Sequence, residues 1–120
     1  MDEILIIDDN EDVTNIISIF LKEVFENKYS VTTFNDPELA LKYYNDLGYP
    51  IYRVILDLCM PKISGEELIQ LIRQVELDQP ITIMTGRQDM NLEESLSKMY
   101  PEYNILRKPF TFSDIKQLFI

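Results

Sequence analysis

Ile4-Leu5-Ile6-Ile7-Asp8-Asp9 is the stretch on which the fold turns. Four consecutive apolar residues lack the alternation of a strand with one wet face; they match a strand covered on both faces, as in the parallel sheets of α/β proteins. The run then stops on two carboxylates. Outward from it, Val13, Ile16, Ile17, Phe20, Leu21 and Val24 recur at helical spacing and predict a helix ending near Asn27. A more polar strand follows over Ser30 to Phe34, and Asn35-Asp36-Pro37 supplies a cap and a first-turn proline for a helix with Ala40, Tyr43, Tyr44 and Leu47 on one face. Gly48 and Pro50 punctuate before Val54-Ile55-Leu56, a third strand that again closes on a carboxylate, Asp57. Leu68, Leu71, Ile72 and Val75 stripe the next helix. Ile81-Thr82-Ile83-Met84 predicts a fourth strand ending at Thr85, and Leu92, Leu96 and Met99 mark a shorter helix. Asn104-Ile105-Leu106 is the fifth strand, and Ser113 can cap a last helix carrying Ile115, Leu118 and Phe119.

Strands alternating with helices imply right-handed crossovers and a parallel sheet with helices on both faces. The predicted class is α/β, a three-layer, doubly wound (βα)5 sandwich. With 120 residues and no internal repeat or linker, residues 1–120 read as one domain. The last helix stops after barely two turns at Ile120, which is expected of a longer protein with a further domain beyond that residue, a stand-alone domain being the alternative.

Eleven basic against 21 acidic side chains give a net charge of −10, which repels phosphate backbones and anionic lipid. No nucleic acid or membrane partner is expected for this domain. The excess acid falls within the first two-thirds, because residues 81–120 hold five basic and five acidic side chains. The absence of His excludes His-based triads, His-bound zinc and imidazole phosphocarriers. A single cysteine, Cys59, allows no internal disulfide, no apolar run reaches the roughly 18 residues of a membrane span, and the amino terminus is acidic where a secretory signal is basic. A cytoplasmic protein is expected.

In open parallel sheets the site lies beyond the carboxyl ends of the strands. Asp8 and Asp9 after strand one, Asp57 after strand three, Thr85 after strand four and Lys108 after strand five all fall there. Three converging carboxylates repel one another unless something cationic compensates. A hard divalent cation with oxygen ligands, Mg²⁺, fits that demand, and Lys108 adds a fixed positive charge. A carboxylate beside a metal, a hydroxyl donor and an ammonium is suited to receive a phosphoryl group, with Asp57 as nucleophile.

These residues resemble the receiver domain of two-component response regulators, the CheY-like superfamily. The resemblance covers essentially the whole chain. It is carried by Asp8-Asp9, by Asp57 followed by Leu58-Cys59-Met60-Pro61 and Gly65, by Thr85, and by Lys108-Pro109-Phe110. It implies a flavodoxin-like fold with strand order 2-1-3-4-5 and a signalling switch. In that switch a sensor histidine kinase, or a phosphotransfer protein, donates its phosphohistidine's phosphoryl group to Asp57. Asp9, Asp57 and the backbone carbonyl of Cys59 would ligate Mg²⁺, with Asp8 acting through a coordinated water. Thr85 and Lys108 would each contact a phosphoryl oxygen. The resemblance also implies a cis Lys108–Pro109 bond, self-catalysed phosphorylation and dephosphorylation without an independent substrate, and output through the fourth and fifth helices to an output domain or a second copy.

Three positions are modulatory. Receivers usually carry an aromatic residue three positions before the lysine, and here that position is Ile105, with Tyr103 two residues earlier on the same face of the strand. The expected switch therefore runs through Thr85 and repacking of the fourth helix, with Ile105 a passive filler. The resemblance also implies that the positions two residues after the phosphoacceptor and two after the threonine, here Cys59 and Arg87, tune the lifetime of the phosphoryl group, and Arg87 is expected to shield an acyl phosphate from water.

Competing readings are a receiver-like interaction module without phosphorylation and a haloacid-dehalogenase-type phosphatase. The phosphatase family wants a second Asp two residues after the nucleophile, where this chain has Cys59. Taken alone, Asp8-Asp9 is a solvated turn and cap, Thr85 is structural, and Cys59 is a small side chain at a site mouth. Ile19, off the main stripe of the first helix, is either a flank of the core or part of a kinase-docking surface.

Overall fold

A computed structural model describes residues 2–47, 50–86 and 90–119, and, within the last segment, side chains from Glu94 onward. The element order is β1 (Asp2–Ile7), α1 (Glu11–Val24), β2 (Tyr29–Phe34), α2 (Pro37–Leu47), β3 (Arg53–Asp57), α3 (Gly65–Val75), β4 (Ile81–Thr85), α4 (Met90–Met99), β5 (Asn104–Arg107) and α5 (Phe112–Gln117). All five strands pair in parallel in the order β2-β1-β3-β4-β5.

The consecutive apolar runs feed two separate cores because successive strand residues face opposite sides. Leu5, Ile7, Val54, Leu56, Ile81 and Ile83 pack with Ala40 and Tyr44 of α2, Leu68, Ile69 and Ile72 of α3 and Leu96 of α4. Ile4, Ile6, Ile55, Met84 and Leu106 pack on the other face with Ile17 and Leu21 of α1 and Ile115 of α5. The result is the expected helix–sheet–helix sandwich.

Several helical stripes differ from the sequence expectation. Ile16, at 45% exposure, lies outside the arc of α1 that meets the sheet, which runs through Thr14, Ile17 and Leu21. In α3 the buried spacing is Gly65, Leu68, Ile69 and Ile72, so Ile69 joins the core and Val75 is exposed. Met99 of α4 is exposed, and the buried position near that end is Tyr100, one turn after Leu96. The cap of α5 is Thr111 rather than Ser113. Asp114 N–H donates to Thr111 Oγ1 at 3.1 Å and Thr111 N–H to Asp114 Oδ2 at 2.8 Å, a reciprocal capping box that Ser113 cannot form. The turn after α1 passes through Glu26 and Asn27 with φ of 48° and 61°, which stops that helix three residues before the predicted end.

Candidate functional site

Strand register aligns the polar residues. Ile7 of β1 pairs with Leu56 of β3, so Asp8 and Asp57, each one residue further on, emerge side by side. Asp57 pairs with Met84, which sets Thr85 one step beyond it, and Thr85 pairs with Arg107, which sets Lys108 one step further. The carboxyl ends thus form a staircase from the acids to the ammonium.

Asp8 is fully buried, and each of its polar atoms is engaged. Its N–H donates to the Phe34 carbonyl at 3.1 Å, its Oδ1 accepts from Asn10 N–H at 2.9 Å, and its Oδ2 accepts from Lys108 Nζ at 2.7 Å. The Lys108 ammonium also lies 3.4 Å from Asp57 Oδ1. Asn10 caps α1 by accepting from Asp12 N–H at 2.9 Å, so the residue after the acid pair starts the helix behind it.

Gly65 explains why the segment after Asp57 closes so tightly. A Cβ there would sit 2.5 Å from Leu58 Cα and 2.7 Å from the Asp57 carbonyl oxygen, both backbone atoms. The Gly65 N–H instead donates to the Leu58 carbonyl at 2.8 Å, folding the start of α3 against the end of β3. Lys108 is fixed in turn by its own N–H, which donates to the Thr85 carbonyl at 2.8 Å, and Lys108–Pro109 is the cis bond.

Burial is the main force raising the pKa of Asp57. The charge of Asp8 adds to it, and Lys108 and the Cys59 N–H oppose it. Burial alone would lower the pKa of Lys108, but its hydrogen bond to Asp8 and the charge of Asp57 outweigh that and raise it. One carboxylate oxygen from each of Asp8, Asp9 and Asp57 lies within 4.8 Å of the others, with Asp9 exposed at the mouth. Three hard oxygen donors against one ammonium leave the cluster short of positive charge, a donor set suited to a divalent cation.

The remaining predicted residues lie as follows. Thr85 is buried at the end of β4, and Cys59 is exposed beside the acids. Ile105 is half-buried against the same cluster that holds Tyr103, whose ring stacks on Tyr100 at 5.5 Å between centroids. Arg87 lies outside the described residues. Sequence reasoning missed Asn10 and Asn35. Asn35 Nδ2 donates to the Asp8 carbonyl at 2.9 Å and to Thr14 Oγ1 at 3.1 Å. Its only signal was a surplus turn residue before Asp36, whose carboxylate already accepts from Glu38 N–H at 2.9 Å at the start of α2.

Carboxylates gathered at the carboxyl ends of a doubly wound parallel sheet place the protein among small α/β domains built around an acidic, cation-attracting mouth. Within that class, the family model of the response regulator receiver domain matches residues 4–119, and the chain belongs to that family. It is 32% identical over 108 residues to response regulator RR06 of Streptococcus pneumoniae, covering 90% of this chain and 46% of that protein. The chain therefore spans about half the length of the curated relatives it matches. Among solved structures, a response regulator receiver domain protein from Clostridium thermocellum superposes with a TM-score of 0.79 at 26% identity, covering 98% of this chain and 90% of that one. Vibrio cholerae chemotaxis protein CheY4 shares the fold, with a TM-score of 0.82 at 22% identity over 98% of this chain and 95% of that one.

Proposed function

We propose that this receiver domain is a phosphorylation-dependent switch in which Asp57 accepts a phosphoryl group from the phosphohistidine of a sensor histidine kinase or phosphotransfer protein. The observation that carries this reading is the Lys108 ammonium set between the carboxylates of Asp8 and Asp57, 2.7 and 3.4 Å away. In the proposed step an Asp57 carboxylate oxygen attacks phosphorus, the P–N bond breaks, and its electron pair leaves with the imidazole. Lys108 pairs with one phosphoryl oxygen, and the Thr85 hydroxyl donates to another. Asp8, Asp9, Asp57 and the Cys59 carbonyl would hold Mg²⁺. When bound, the ion neutralises the carboxylates and draws charge from the transferring oxygens. Loss of the phosphoryl group by hydrolysis resets the domain, with no independent substrate.

Exposed Ile16 and Ile19 on α1, beside the Phe20–Phe112 ring pair 4.7 Å apart, offer an apolar face for the donor's helices. The charge-balanced stretch from residue 81, which includes α4 and α5, suits contact with an output domain or a second copy without strong self-repulsion. None of the described helices is long and apolar enough to cross a membrane, and a cytoplasmic setting accords with the proposed partners.

The test is incubation with acetyl phosphate and Mg²⁺, followed by intact-mass spectrometry. The expected product is one acid-stable, alkali-labile phosphoryl adduct that Asp57→Asn lacks. No adduct at all would favour an interaction module instead.

A further inference from the structure

We propose that Asn35 is a positioning residue of the cation site. Its side-chain amide would hold the β1–α1 loop, and with it the Asp8-Asp9 pair, in the arrangement a divalent ion requires. The inference rests on the reading of the acid cluster as a Mg²⁺ site and assigns a role to a residue outside that cluster.

The Asp8 carbonyl can only accept a hydrogen bond, so the end of Asn35 facing it at 2.9 Å must be the nitrogen. The second amide proton goes to Thr14 Oγ1 at 3.1 Å. Thr14 is buried, and its own hydroxyl proton is committed to the Glu11 carbonyl at 3.0 Å, which leaves a lone pair turned to Asn35. Asn35 therefore ties the acid loop at once to the β2–α2 turn and to the first turns of α1.

The oxygen it holds matters. The Asp8 carbonyl belongs to the peptide unit joining Asp8 to Asp9, so fixing that oxygen fixes the plane from which Asp9 departs. The Asp8 N–H is held from the same side by the Phe34 carbonyl, at 3.1 Å. The last residue of β2 and the first residue of the β2–α2 turn thus grip both peptide units of Asp8. That turn is itself anchored: Asp36 accepts from Glu38 N–H through its carboxylate and from Ala40 N–H through its carbonyl, at 2.9 and 3.0 Å. Asp8 and Asp9 repel each other before an ion arrives, and a loop free to rotate would relax them apart. Holding them in place lets the ion bind without reordering the loop.

The neighbouring Lys62–Asp36 ion pair, 2.9 Å long, also spans two site loops, but Lys62 is exposed and such pairs contribute little. It serves as the contrast.

The experiment compares wild type, Asn35→Ala, Thr14→Val and Lys62→Met in three measurements: Mg²⁺ affinity by calorimetry, the urea midpoint without Mg²⁺, and the Mg²⁺ dependence of phosphorylation by acetyl phosphate. Outer partners of metal ligands typically contribute tenfold or more to affinity, so Asn35→Ala should weaken Mg²⁺ binding about tenfold. Its plateau phosphorylation rate at saturating Mg²⁺ should match wild type. Thr14→Val, which keeps the bond to Asp8 but removes the second anchor, should weaken binding less, and Lys62→Met should not change it. A purely structural role would lower the urea midpoint and leave the affinity of the folded protein unaltered. Unchanged Mg²⁺ affinity in Asn35→Ala and Thr14→Val, with normal binding by wild type, overturns the positioning role. Failure of wild type to bind Mg²⁺ overturns the reading of the site, and this inference with it.

Discussion

Lys108 leans toward Asp8, with its ammonium 2.7 Å from Asp8 Oδ2 and hydrogen-bonded to it, while Asp57 Oδ1 stands off at 3.4 Å. Asp8 is the fully buried member of the pair of acids, so it has the greater need of a counter-charge. Removing Lys108 strands a buried carboxylate beside a second one. Lys108→Met should therefore lower stability by about 1–3 kcal/mol in the absence of divalent cation. The deficit should shrink when Mg²⁺ is added, as a shift in urea midpoint with and without the ion will show. An equal deficit in both conditions would mean that Lys108 stabilises the domain by packing alone.

Asp57 presents the opposite case. Burial and the charge of Asp8 both disfavour its ionised form. Asp57→Asn keeps the shape and deletes that repulsion, so the variant should be more stable than wild type without Mg²⁺. Mg²⁺ should reverse the order. An ion binding only the folded state adds RT ln(1 + [L]/Kd), about 2.7 kcal/mol at a hundredfold excess over Kd, and the variant lacks one of the acids proposed to hold it. Melting curves of the two proteins across a Mg²⁺ series test the crossover.

Two glycines of the site should respond in opposite ways to alanine. At Gly65 the new methyl would meet the backbone of Leu58 and Asp57 at 2.5 and 2.7 Å, atoms that cannot yield without moving the end of β3. Gly65→Ala should destabilise by about 1–3 kcal/mol and slow phosphorylation. At Gly86 the nearest atom is Lys108 Cδ, 3.8 Å away, an ordinary contact. Gly86→Ala should be neutral or stabilising by up to about 1 kcal/mol. Urea denaturation of both variants separates steric need from sequence habit.

The sheet and the ends of its strands were legible because both follow from short-range pattern. Ile4 to Ile7 and Val54 to Leu56 are apolar at successive positions, and each runs straight into its acid. What pattern could not supply was which arc of a helix meets the sheet. Ile16 and Val75 sit at helical spacing with true core residues, yet both face outward, because the arcs are set by packing angle rather than by composition. Side-chain bonds between loops distant in sequence were equally hidden. Nothing local distinguishes Asn35 from an ordinary turn residue, since its partner Asp8 lies 27 positions away. Thr111 was overlooked for a different reason: its box partner Asp114 was in plain view, but the adjacent Ser113 offered a competing cap.

Tyr44 supplies a prediction remote from the acids. Its hydroxyl donates to Gln79 Oε1 at 2.7 Å, and Gln79 Nε2 in turn donates to the Ile51 and Pro80 carbonyls, each at 3.0 Å. This buried relay ties α2 to the turns before β3 and β4. Burial is the main reason the phenol's pKa is pushed up to about 12 from its ordinary 10. The folded protein therefore keeps a proton that the unfolded chain releases above pH 10. The linked stability is fully present below pH 10 and is lost as pH climbs toward 12, about 2 kcal/mol over the window. Tyr44→Phe should lower stability at neutral pH by about 1–2 kcal/mol, because Gln79 Oε1 loses its donor. It should also flatten the alkaline limb of the stability profile. Urea midpoints between pH 8 and pH 12 measure both effects, and a variant whose alkaline limb remains as steep as that of wild type would show that the phenol ionises as readily folded as unfolded.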